Sequence, residues 1–388
     1  MKKKIWFSLF SCLMLAFLPL QAMAAEVETS TISDGLRQVE QYNFSINILA
    51  MLLIGFGFLM VFVKKYGYSA TTGTFLVVGT GLPLYLFLRS TGIISLEVIA
   101  PDSITALLFA EFACAAALIA MGAVLGRLRL YQYGLLAILI VPLYMLNEWL
   151  VLDGGLSITK GFVDAAGSII IHAFGAYFGL GMTIALTNSI DSKKVIESDE
   201  TSDRFSILGS MVLWVFWPSF CSAIVPHSQL SQTVINTILS LCGATVTTYL
   251  ASSFLRKGKP SIADMANAAL AGGVAIGATC NIVTAPGAFG IGVLAGALCV
   301  VGYVVIQPKL QSKLRIVDTC GVHNLHGMPG VLGGIIAIFV VPGIMKAQII
   351  GILITVVLAF LGGILSGFVI KATGKKQLAY EDEDEFTI

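Results

Sequence analysis

Charge is scarce in this chain. Only 12% of its 388 residues are Asp, Glu, Lys or Arg, whereas soluble domains carry about 25%. With 57% hydrophobic residues and a mean hydropathy of +0.90, the chain belongs in a lipid bilayer. Its two signs of charge nearly cancel, to a formal net of +1, so nothing in the balance points to a nucleic-acid partner. There are seven Cys but no CxxC or other metal-like spacing. Beyond Cys12 they lie in apolar stretches and read as small packing residues. No GxxxxGK[ST] string supplies a phosphate cradle, which argues against ATP-driven transport. No nucleophile and base stand at catalytic spacing, so the chain does not read as an enzyme, and no cofactor is implied.

Histidine is scarcer still, with four in the whole chain, and two of the four occupy matching places. Asp164 stands eight residues before His172 in DAAGSIIIHAFGAYFGL, and Asp318 stands eight before His326 in DTCGVHNLHGMPGVLGG. Ionisable groups at membrane depth are expensive and mark substrate paths or proton relays. A repeated placement points to one shared site, and so to a channel or transporter with a histidine-lined centre. Two neutral imidazoles in contact can share a hydrogen bond, one ring nitrogen donating and the other accepting. Metal binding is the rival reading, since His323 and His326 stand at i and i+3 on one helix. A third and fourth ligand are missing, so no metal is assigned.

The first 24 residues, with a basic start, an apolar run and the ending Ala22-Met23-Ala24, read as a cleaved secretory signal (1–24). The Lys-rich start and compact length fit a bacterial inner membrane. Taking about 20 apolar residues per crossing, eleven spans follow, near 45–63, 70–88, 104–125, 131–152, 162–188, 205–225, 231–254, 261–279, 283–306, 319–341 and 347–370. With the N-terminus outside, sixteen basic residues fall on inner segments and four (Arg37, Arg89, Lys160 and Lys346) outside. The positive-inside rule supports that orientation, with a cytoplasmic C-terminus.

The charged loop from Asp191 to Arg204 separates five spans from the next five. Five is odd, so the halves, about 45–188 and 205–341, cross in opposite senses as an inverted repeat, with a site between them. At 1.5 Å per residue each His lies roughly 12 Å along its helix from its Asp. One descends from outside and the other climbs from inside, so His172 and His326 are predicted to meet. The expected domain plan is the signal, a channel domain at 25–371 and a charged, mobile tail at 372–388.

Asp164 and Asp318 have two readings, as helix N-caps and as carboxylates whose field near the His favours a cationic guest. Glu111, beside Phe112, and Glu148, in LNEWL, are intramembrane acids that either draw cations to an outer mouth or lie buried at helix breaks. Phe112 and Phe220 fall in the outer halves of the third and sixth spans, and any one of 23 Phe is ordinarily core or lipid-facing. Gly175 and Gly179, Gly273 and Gly277, Gly292 and Gly296, and Gly363 and Gly367 are GxxxG pairs that permit close helix approach. Pro218 and Pro329 are expected to kink their helices.

Together DTCGVHNLHGMPG, GSIIIHAFGAYFGL, GAVLGR and WPSFCSAI resemble the Rh (Rhesus) branch of the ammonium transporter superfamily. The likeness runs from the first span to the eleventh. It implies a homotrimer of eleven-helix subunits with the ammonium transporter-like fold, each with its own pore for ammonia or ammonium. By motif match His172 and His326 resemble the twin-histidine pair, Asp164 and Asp318 the two family aspartates, and Phe112 and Phe220 the stacked outer gate. His323 matches an Rh position in the inner part of the pore. A CO2 channel through the same passage is the second expectation; an ammonium-sensing receptor is a third, disfavoured because the tail is short and carries no signalling domain. The aromatic recruitment site of the other branch is not matched, since Leu152 or a neighbour falls where its Trp would stand. The sequon Asn43-Phe44-Ser45 is expected to carry no sugar.

Overall fold

The computed structural model describes residues 32–94, 98–155, 157–188 and 194–387. The expected signal at 1–24, and Asp191 in the charged loop, lie outside the described residues. The larger compact unit is Glu40–Ile388, and every contact discussed below lies within it. No strand occurs among the described residues.

Among the described residues ten helices are long and apolar enough to cross a membrane. These are α1 (Gly35–Phe62), α2 (Gly67–Thr91), α3 (Ile104–Val124), α4 (Leu130–Val151), α5 (Ser168–Leu186), α6 (Glu200–Ser222), α7 (His227–Leu255), α9 (Ala285–Leu314), α10 (His323–Val340) and α11 (Met345–Thr373). The eighth expected span is shorter: α8 covers Ile262–Ile276 and is itself two pieces, Ile262–Ala268 and Ala271–Ile276. Its start is pinned to the end of α7. The buried Asp264 accepts from the Ser252 hydroxyl at 2.7 Å and from Arg256 Nε and Nη2 at 2.6 and 2.8 Å.

Apolar packing in a bilayer gains little from excluding water, so helices adhere where small residues let backbones approach. Four glycine pairs fill that role here. Gly175 and Gly179 on α5 face the Ala116 and Ala120 carbonyls of α3, where an added Cβ would come within 2.6 and 2.9 Å. Gly292 and Gly296 on α9 lie against Ser240 and Ala244 of α7, and Gly363 and Gly367 on α11 lie against Phe178 and Met182 of α5. Gly273 meets the Trp217 indole and Gly277 meets Ser168. The six described cysteines are all free, four of them buried.

Contacts at both ends fix how α5 and α10 run. Thr187, just past the end of α5, accepts through its hydroxyl from the Val317 N–H ahead of α10 at 3.2 Å. Val163, ahead of α5, packs against the small cluster of Ala278, Ala337 and Ile344, at the far end of α10. The two helices therefore run in opposite senses. Pro218 lies inside α6, whereas Pro329 falls in the first helical turn after a wide π turn in α10, where its missing N–H is tolerated.

The tail expected to be mobile is folded back onto the protein. Asp382, 6% exposed, accepts from the Tyr68 and Ser69 N–H groups at 3.0 and 2.9 Å, at the start of α2. The Tyr380 N–H donates to the Gly126 carbonyl at 2.9 Å, and Lys376 pairs with Asp384 and lies over the Tyr66 ring. The free amides of a helix start attract a carboxylate wherever one can reach them. Here it comes from a residue more than three hundred positions away. Asp382 and the Lys376–Asp384 pair find partners that a composition argument cannot see.

Replacing Asp382 with Ala removes two charge-assisted bonds and is expected to destabilise the protein by about 1 kcal/mol. The check is the thermal unfolding midpoint in detergent, which should fall relative to the parent.

Candidate functional site

A helix that must present a polar side chain inside an apolar bundle first has to begin in a defined geometry. Asp164 Oδ2 accepts from the Ile169 and Ile170 N–H groups, both at 2.9 Å. Asp318 accepts from the Val322 N–H through Oδ1 and the His323 N–H through Oδ2, both at 3.0 Å. Both carboxylates thus satisfy free amides at a helix start, as the capping reading expects, but from ahead of the capping positions, which are Gly167 and Val322. Three residues after each Asp stands a glycine in the left-handed region, Gly167 (φ +79°) and Gly321 (φ +68°). A Cβ on Gly167 would strike the Ile171 side chain, and one on Gly321 the Tyr303 ring. Each turn then opens a wide π coil, Ser168–Ala173 and His323–Gly327, and each coil carries its histidine.

The loops that precede the coils are stitched to neighbouring helix ends in the same way. The Ala166 N–H donates to the Gly277 carbonyl at 2.8 Å, just past α8. Thr319 and Cys320 donate to the Ala123 and Gly122 carbonyls, both at 3.1 Å, at the end of α3. Ser168 adds a staple, donating to the Val274 carbonyl and accepting from the Ala278 N–H, both at 2.7 Å.

These supports bring His172 and His326 together. Their Nδ1 atoms are 3.2 Å apart, with ring centroids at 5.3 Å and planes 12° apart. The pair is held between aromatic platforms: Trp217 of α6 stacks on His172 at 5.6 Å, and Phe56 of α1 lies on His326 at 6.3 Å. Neither platform was singled out from the sequence, although Trp217 stands three residues before Phe220 in the quoted WPSFCSAI string. The repeated D-x-x-G was equally available and was not used. His172 Nε2 is buried without a hydrogen-bond partner among the described residues.

Phe220 lies 5.9 Å from the His172 ring, and Phe112 lies 4.9 Å from Phe220, inclined by 61°. Both are nearly inaccessible, 2% exposed for Phe112 and 3% for Phe220. On the other side of the pair a cavity of about 20 Å³ has room for a single water-sized molecule. Phe56, Leu118, Ile119, Leu325 and His326 line it, with Asn267 as the one other polar wall residue. His323 sits edge-on to Tyr177 at 5.7 Å, and its Nδ1 has no partner among the described residues.

Glu111 and Glu148 are placed away from open solvent, 0% and 3% exposed. Glu111 accepts from the Ser45 hydroxyl at 2.6 Å, which also takes the Ser of the Asn43-Phe44-Ser45 sequon into the interior. Glu148 accepts from the Tyr85 hydroxyl at 2.8 Å and faces Arg89 at 3.5 Å. Leu152 stands just beyond the end of α4. Among the described residues no group of three or more His, Cys, Asp or Glu could hold a metal ion.

The family profile described as Ammonium Transporter Family matches residues 5–387. The chain belongs to the ammonium transporter family. Within it the Rh branch is indicated by curated relatives. The chain is 36% identical over 358 residues to the ammonium transporter Rh type C of Rattus norvegicus, spanning 84% of this chain and 71% of that one. It is 37% identical over 363 residues to the ammonium transporter Rh type B of Xenopus tropicalis, spanning 84% and 76%. Among solved structures, one described as Nitrosomonas europaea Rh50 and the mechanism of conduction by the Rhesus protein family of channels is 64% identical. It superposes with a TM-score of 0.90 over 91% of this chain and 93% of that one. A structure described as a sensor Amt protein shares the fold at 20% identity, with a TM-score of 0.77 over 90% and 96% of the two chains. This Rh-type chain is accordingly an integral multi-pass membrane protein with the ammonium transporter fold, of a family of transporters and channels.

Gly167→Ala and Gly321→Ala should each destabilise the protein by more than about 1 kcal/mol, because a left-handed residue gains a Cβ that also collides. Gly290→Ala, where nothing lies within 4 Å of the added atom, should not. Thermal midpoints of the three purified variants check this.

Proposed function

We propose that this Rh-type protein is a passive, bidirectional channel for ammonia. Ammonium gives up a proton near the Phe112 and Phe220 gate, and NH3 passes the His172 and His326 pair by hydrogen bonding. The observation that carries the reading is the pair itself: two buried imidazoles 3.2 Å apart, inside apolar and aromatic walls, in a chain of the ammonium transporter family. Stripping the water from a bare cation costs tens of kcal/mol in an idealised apolar medium, whereas a small neutral molecule loses a few hydrogen bonds. Such a passage favours the neutral form, and the unpartnered Nε2 of His172 offers it a hydrogen-bonding site. Asp164 and Asp318 act by holding the two coils, His323 lines the inner part of the route, and Glu111 and Glu148 support the outer part.

The wider architecture is read as eleven crossings in a five-plus-five inverted repeat, with α8 as the short crossing. Supporting this, α5 and α10 run oppositely, each histidine coil has the same Asp and Gly, and each coil's loop is stitched to the third helix of the other half. The aromatic platforms come from α1 and α6, the first helices of the halves. The domain plan (signal, eleven-helix channel, C-terminal tail), the bacterial inner membrane, the outside N-terminus and the homotrimer complete the reading. The tail's contacts with Tyr68, Gly126 and Lys194 join segments that the charge pattern puts on the cytoplasmic side.

Stopped-flow recording of internal pH in proteoliposomes tests the assignment. An ammonia gradient should alkalinise the lumen faster than in empty vesicles, and His172→Ala or His326→Ala should lose most of that gain. Variants that conduct as the parent does would remove the pair from the mechanism. CO2 has no hydrogen to donate, so a protein-dependent response to CO2 alone, indifferent to the histidines, would make this a CO2 channel instead.

A further inference from the structure

The gate phenylalanines do not stand alone. Phe112 is met at 6.4 Å, edge-on and inclined by 82°, by Phe109, one turn earlier on α3. Over the Phe109 ring lies the guanidinium of Arg89, 5.7 Å from the centroid. Arg89 belongs to the last turn of α2 and its side chain is only 4% exposed, a severe position for a charge on a helix that faces a membrane. Glu148, also 4% exposed at its side chain, faces it at 3.5 Å, and Asp153 at 4.0 Å. The Tyr85 hydroxyl donates to the same Glu148 oxygen at 2.8 Å. The guanidinium is thus held over the aromatic ring by a carboxylate that is itself held.

We propose that Arg89 is a positioning residue for selectivity: with Glu148 it fixes the Phe109 ring, and Phe109 in turn backs Phe112 in the closed gate. The inference rests on the reading of Phe112 and Phe220 as the gate. Arg89 touches no substrate. Its effect runs through one ring to the next, so losing it loosens the gap between Phe112 and Phe220 and admits a bulkier amine more readily.

The test is the ratio of methylamine to ammonia conduction in proteoliposomes, with the thermal midpoint in detergent measured alongside. Phe112→Ala examines the gate itself and should raise the ratio; if it leaves the ratio unchanged, the gate reading fails first. Given a working gate, Arg89→Met should raise the ratio about twofold, the factor that a cation–π contact at the low end of its range is worth. Arg89→Lys, which keeps a cation over the ring, should stay near the parent. In a Phe109→Leu background Arg89→Met should add nothing. If Arg89→Met does not fold, because Glu148 is left unpaired, the double variant Arg89→Met with Glu148→Gln carries the same expectation. A ratio at the parent value in a folded Arg89 variant, or a full further rise in the Phe109→Leu background, would overturn the proposal.

Discussion

A carboxylate less than a tenth exposed survives inside a helix bundle only where protein donors replace the water it has lost. Asp318 meets that condition with both oxygens and Asp164 with Oδ2, by taking the first free amides of the two helices that follow them. This arrangement serves both partners, because the amides would otherwise be unsatisfied. Helix starts that would be liabilities at membrane depth become the rigid footings of two wide coils. The histidines owe their position to these footings, and the aromatic platforms and the neighbouring cavity are arranged about the histidines.

The close helix contacts follow from the same scarcity of options. With lipid on the outside, packing has to come from backbone approach, and the glycine pairs of α5, α9 and α11 supply it where α3, α7 and α5 pass. The pairs sit on the helices that flank the histidine coils. A core assembled from such contacts has little slack, and the large rings between Phe112 and the cavity are packed within it.

Much of this was legible in the sequence because hydrophobic length is a strong signal in a bilayer. Ten of the eleven expected spans meet crossing length, and the equal spacing of Asp164 to His172 and Asp318 to His326 located a pair that the structure does bring together. What escaped has definite reasons. A π coil leaves no periodic mark that distinguishes it from an ordinary turn of helix. The break at Ala269 and Leu270 has no proline to announce it. Trp217 and Phe56 were two apolar residues among many. The tail was misjudged because its acids find their partners at Tyr68, Ser69 and Lys376, and a short acidic run looks the same whether or not a helix start awaits it.

The Nδ1 contact between His172 and His326 has a consequence for symmetry. Each neutral imidazole carries one N–H. If His172 donates across the contact, its own Nε2 is bare and the Nε2 of His326 bears the hydrogen; if His326 donates, the assignment reverses. The two histidine coils match in their carboxylate and glycine, but one shared proton cannot sit equally in both. The centre of the molecule is therefore polar along its own axis, with a lone pair at one end and an N–H at the other. Reversing that polarity requires a proton to move at each end of the pair.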